Sequence, residues 1–177
     1  MKKILLTILL SCSIICFSQN RNNGDISEDI LTITSKFDEM DGTKIFIPSH
    51  YLFLKNDNES SFINIKPVIE ENLSTPYFMI EITNIGSCFE NDEVDFLFEN
   101  KNKLKLNSFS SYNCSGNSAF ILSEENKEIL SKNKIIKFRF TNGRSGENST
   151  FELKNKNQSY FIDFFDAMRY NKLTELN

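Results

Sequence analysis

From Leu31 onward, apolar residues recur at every second position through much of the chain, which is the period of strands with one face buried. Leu31 to Phe37 and Thr43 to Ile47 are two such runs. Asp41-Gly42 between them predicts a hairpin, because glycine takes a positive φ without steric cost. Ser61 to Val68 sets Ile63 and Ile65 against Phe62, Asn64 and Lys66, and Tyr77 to Asn84 sets Phe78, Ile80 and Ile82 against Tyr77, Met79 and Glu81. Glu70 to Pro76 reads as the loop joining them. Val94, Phe96 and Phe98, then Leu104 and Leu106, predict a second hairpin about the turn Asn100-Lys101-Asn102. After a short strand over Ser118 to Leu122, a third hairpin runs from Lys134 to Thr141, turns at Asn142-Gly143 and Gly146, and returns over Thr150 to Leu153.

Two stretches depart from this period. Ser123 is placed to cap a short helix near 124–130, with Glu124 and Glu125 at its positive end. From Ser159, Phe161, Phe164, Phe165 and Met168 fall at i, i+3, i+4 and i+7, one stripe of a helix near 159–170. Asp163, Asp166 and Arg169 take its opposite, solvated face. The predicted class is α+β: a mostly antiparallel β-sheet or sandwich built from hairpins, with the C-terminal helix packed on it. One domain is expected over 31–170, with a flexible leader at 19–30 and a tail at 171–177.

The first 18 residues change the picture of where the protein works. MKKILLTILLSCSIICFS has two lysines, an apolar run and small residues before polar Gln19, the pattern of a secretory signal peptide cleaved after Ser18. No later run approaches the roughly 20 apolar residues that a membrane-spanning helix needs, so a soluble exported protein is expected. Leu9-Leu10-Ser11-Cys12 resembles a bacterial lipobox, which would attach lipid at Cys12. Greasy Ile14, Ile15 and Phe17 would then begin the tether, whereas lipid anchors are normally followed by polar linker. Removing 18 of the 177 residues leaves 159, the size of one domain with a proper core. The formal charge falls from −4 to −6, because the leader takes two lysines and no acids. That balance disfavours nucleic acid, whose phosphates require clustered Lys and Arg.

Cleavage also removes Cys12 and Cys16, leaving Cys88 and Cys114 in an oxidising compartment. Two cysteines that flank the second hairpin predict one disulfide. Closing that loop of about 26 residues stabilises by about 3 to 4 kcal/mol on the chain-entropy account. The competing reading of Ser111-Tyr112-Asn113-Cys114-Ser115-Gly116 as a nucleophile needs a base, and the single histidine is His50, with no spacing that pairs it to either thiol. Zinc would need carboxylates beside one His and two Cys, and no metal or cofactor site is assigned. Gly143-Arg144-Ser145-Gly146 lacks the second glycine of a nucleophile elbow, since position 147 is Glu, and reads as a hairpin turn. Glu90, Asp92 and Glu93 form an acidic run without the spacing of a calcium loop. Together with Arg144 they are a candidate interaction surface, while solvation is the plain reading of each.

Thr34 to Gly42, Val94 to Asn100, Leu122-Ser123-Glu124-Glu125 and Ile135 to Phe140 resemble a family of small exported Bacteroidetes proteins with no assigned activity. There an early strand pair reads FDE-x-x-G, a central hairpin is LFENG-like, and I-x-K-x-R precedes a closing helix. The resemblance spans about residues 33 to 170, and Asp41 stands where Thr or a similar residue would precede the glycine. It implies export and this architecture, and transfers no catalytic residue. The expected function is therefore a non-catalytic binding or envelope-accessory protein, with another envelope or secreted protein as partner. The alternative is an inhibitor or immunity-type protein that blocks a secreted enzyme through its acidic loop. A small hydrolase using His50 ranks third.

Overall fold

The computed structural model describes residues 30–40, 42–55, 62–71, 76–85, 91–109 and 116–175. The expected signal peptide and leader up to residue 29, Cys12 among them, and Cys88, Glu90 and Cys114 lie outside the described residues.

The alternating runs form two open antiparallel sheets. In the first, β1 (Ile33–Asp38) pairs with β2 (Thr43–Pro48), followed in space by β4 (Phe62–Glu71), β5 (Pro76–Thr83) and β8 (Asn117–Ile121). Gly42 closes the first hairpin at φ 71°, and its N–H donates to the Asp38 carbonyl at 2.9 Å. The Asp38 side chain accepts from Met40 N at 2.9 Å, so the acid makes the turn as well as the strand end.

Two details of this sheet differ from the sequence reading, and the C-terminal helix runs to Glu175 where a tail is expected from residue 171. A strand β3 (Leu52–Lys55) pairs with the first half of β4, and β4 continues to Glu71, through what reads as the start of a loop. Pro67 explains how one long strand serves two neighbours. β3 meets β4 at residues 62–65 and β2 meets it at 69–71, so the ladder on that edge is interrupted where proline has no N–H to donate.

The second sheet has the order β10-β9-β6-β7, from β6 (Glu93–Phe98), β7 (Lys103–Asn107), β9 (Ile135–Thr141) and β10 (Asn148–Glu152). Both of its hairpins are those the alternation predicts. Phe96 lies opposite Phe138 in register, with ring centroids 5.4 Å apart, and Phe138 meets Phe151 at 5.9 Å. The chain therefore leaves the first sheet after β5, builds the β6–β7 hairpin in the second, and returns to lay β8 beside β5.

Helix α1 (Glu124–Lys132) starts at Ser123, whose Oγ accepts from Asn126 N at 3.2 Å. Helix α2 (Tyr160–Glu175) buries Phe161, Phe164, Phe165 and Met168, while Asp163, Asp166 and Arg169 stay exposed. One core joins both sheets to both helices, from Phe46, Ile65 and Ile80 through Phe96 and Phe138 to Leu130 and Phe161. Phe161 reaches the second sheet edge-on to Phe96, at 5.8 Å. Among the described residues no helix is long and apolar enough to cross a membrane.

Candidate functional site

Asp92, expected on an acidic surface, is instead fully buried. One carboxylate oxygen accepts from Ser118 Oγ at 2.6 Å and the other from Gly143 N at 2.8 Å. Its backbone carbonyl accepts from Ser108 N at 2.8 Å. The start of β6 lies within hydrogen-bond reach of both β8 and the β9–β10 turn, and a carboxylate there satisfies a donor from each. Gly143 is required by the same approach. A Cβ at that position would lie 2.5 Å from the Asn91 carbonyl carbon and 2.7 Å from Asp92 N, both backbone atoms. Glu93 pairs with Lys105 across the hairpin at 2.7 Å. Arg144 lies exposed in the turn next to Gly143, with its backbone N–H donating to Asn142 Oδ1 at 3.0 Å. The structure thus brings Asp92 to the turn that carries Arg144, as a buried clip between elements.

His50 ends the segment after β2. Ser49 Oγ lies 3.3 Å from its Nδ1 and also accepts from Thr32 N at 3.1 Å, which ties the entry of β1 to the exit of β2. The His50 carbonyl accepts from Tyr160 Oη at 2.9 Å, and the two rings stand 6.3 Å apart. Burial pushes the Tyr160 phenol well above its ordinary range. These contacts join the first sheet to the start of α2. Neither cysteine can be placed against His50, since both lie outside the described residues.

A concave site absent from the sequence reading lies between α1, α2 and the β4–β5 pair. The groove encloses about 560 Å³. Ile69 from β4, Phe78 from β5, and Phe165 and Met168 from α2 make its apolar floor. Charged side chains of both helices make its rim, among them Glu124, Lys127, Glu128, Lys132 and Arg169. Lys127 shapes the inner wall. Its ammonium sits 3.3 Å from the centre of the Phe78 ring and pairs with Glu124, and its side chain is only 12 % exposed. The ring's negative face and the carboxylate together hold the cation, while the methylene stem covers apolar surface. Lys132 pairs with Glu128 at 2.5 Å and holds that carboxyl below the usual carboxylate range. Arg169 pairs with Asp166 at 3.0 Å.

Each floor residue reads as core when taken with its own strand or helix. The available signal was that the α2 stripe passes straight from Met168 to Arg169, while α1 is a short helix with charge on most of its surface and one fully buried apolar residue, Leu130. The chain matches no family model, no curated protein and no solved structure.

Proposed function

We propose that this chain is an exported, non-catalytic binding protein and that the groove between α1 and α2 is where it takes its ligand. The groove carries the reading: its volume of about 560 Å³ lies in the range of small-molecule sites, roughly 300 to 1,000 Å³, and its apolar floor and charged rim have the usual division of such sites. Export rests on the N-terminal sequence. The inhibitor reading depended on an acidic surface at Glu90, Asp92 and Glu93. Burial of Asp92 and pairing of Glu93 with Lys105 leave it less support than the groove has.

Titration with a neutral fluorescent probe, N-phenyl-1-naphthylamine, tests this function. Ser131 lines the groove on α1, and Ser131→Trp fills that wall from a partly exposed position. Saturable binding by the native chain that is lost in Ser131→Trp is expected. Equal binding by both would place the ligand elsewhere.

A further inference from the structure

From the pairing of charges around the groove, and resting on the reading of the groove as the binding site, we infer that its ligand is an uncharged, apolar small molecule, such as an acyl chain without a free acid or a polycyclic hydrocarbon skeleton. Glu124 is neutralised by Lys127 three residues on, Glu128 by Lys132 four residues on, and Arg169 by Asp166 three residues back. A ligand carboxylate would only exchange with the side-chain carboxylate already on Lys127, Lys132 or Arg169, with no net ion pair gained. A ligand ammonium would have to compete with Lys127 for both Glu124 and the face of Phe78. Among the described residues Glu125 is the one charged rim residue with no ion-pair partner, and one exposed carboxylate in high dielectric adds little to binding. Ile69, Phe78, Phe165 and Met168 offer only apolar surface to whatever enters. Recognition therefore falls to removal of apolar area from water, which is insensitive to salt screening.

The experiment compares three naphthylamine probes on the mature protein: neutral N-phenyl-1-naphthylamine, anionic 8-anilinonaphthalene-1-sulfonate and cationic N-(1-naphthyl)ethylenediamine. Each is titrated at about 20 mM and about 500 mM salt. The neutral probe is expected to bind at least about tenfold tighter than either charged one, and its Kd to move less than about twofold with salt. Lys103→Met, on the exposed face of β7 and outside the groove, should leave neutral binding intact. Ser131→Trp, and the milder Ser131→Leu, should weaken it by about tenfold or more. A charged probe binding as tightly as the neutral one, and losing affinity in high salt, overturns the ligand class while the groove survives as the site. If no probe binds the native chain, or if binding is indifferent to both Ser131 variants, the groove itself is overturned as a small-molecule site. In the first of those cases, apolar side chains of a protein partner become the better occupant.

Discussion

Asp92 and Ser118 join the two sheets through one hydrogen bond of 2.6 Å, made where both residues are fully buried. Asp92 stands one residue before β6 in the second sheet, and Ser118 belongs to β8 in the first. With the Gly143 N–H on its other oxygen, the carboxylate holds donors from β8 and from the β9–β10 turn. Asp92→Ala removes the acceptor from both. A buried donor that loses its partner costs about 1 to 3 kcal/mol, so urea unfolding should report a loss of about 2 to 5 kcal/mol for the pair. Asp92→Asn keeps an acceptor for Gly143 and lets the Ser118 hydroxyl turn to accept from the new amide, so it should lose about half as much. A loss below about 1 kcal/mol in Asp92→Ala would mean that the clip contributes nothing to stability.

Gly143 and Gly146 lie in one turn but fail for different reasons. Gly143 has no room for a Cβ, which would press on the backbone of Asn91 and Asp92. Gly146 has open space around it but sits at φ 71°. Gly143→Ala should therefore destabilise by about 1 to 3 kcal/mol through displaced backbone, and should be worsened by Asp92→Asn, with which it shares contacts. Gly146→Ala should cost about 1 to 2 kcal/mol, and Gly146→Asn less, since Asn tolerates the left-handed region. Equal losses for Gly146→Ala and Gly146→Asn would show that conformation is not what decides there.

The contrast between the hairpins and the clip shows what one sequence makes legible. The β1–β2, β6–β7 and β9–β10 hairpins are local, and their period and turn residues lie within about 20 positions of each other. The stripe of α2 is equally local, and its four named residues are buried. β3 escapes because four residues give too short a window for a period. The end of β4 escapes because Glu70-Glu71 breaks the alternation and reads as the polar start of a loop until β2 is known as its neighbour. Asp92 is illegible for a different reason: Ser118 and Gly143, which its carboxylate meets, lie 26 and 51 residues away, and nothing near it in the chain distinguishes it from a solvated acid. The groove drew its floor from β4, β5 and α2, each of which looks like ordinary core alone.

Tyr160 supplies a pH prediction. Burial raises its phenol pKa in the folded chain, whereas in the unfolded chain the phenol titrates near its ordinary value of about 10. Above about pH 10 the unfolded state gives up this proton and the folded state retains it, so the unfolded state binds fewer protons and stability falls as pH rises, by at most about 1.4 kcal/mol per pH unit for this group. Below about pH 10 the contribution is fully present. Tyr160→Phe should lose about 1 kcal/mol at neutral pH, with the bond to the His50 carbonyl, yet show a shallower decline between about pH 10 and 12. Identical slopes in the two proteins would assign the alkaline loss to the lysines.

Ile85 N donates to the Gly116 carbonyl at 2.9 Å, which holds together the two points from which the chain runs on to Cys88 and back to Cys114. Thr83 pairs with Asn117 one step further in. Cys88 lies three residues beyond Ile85, and Cys114 two before Gly116, so each cysteine is within about 10 Å of chain from that junction. A disulfide between them needs Cα atoms about 4.4 to 6.8 Å apart, a span this tether readily allows. The mature oxidised protein should be lighter than the reduced form by two hydrogens, and should take no thiol reagent until it is both unfolded and reduced. Reduction, or Cys114→Ser, should lower stability by about 3 to 4 kcal/mol while leaving the far-ultraviolet circular dichroism unchanged, because the link acts chiefly by restricting the unfolded chain. Rapid labelling of Cys114 in the native, unreduced protein would remove the disulfide from the account. That result would make the thiol a nucleophile to be tested by its reaction rate against pH, since a depressed thiol pKa is what separates a reactive cysteine from an exposed one.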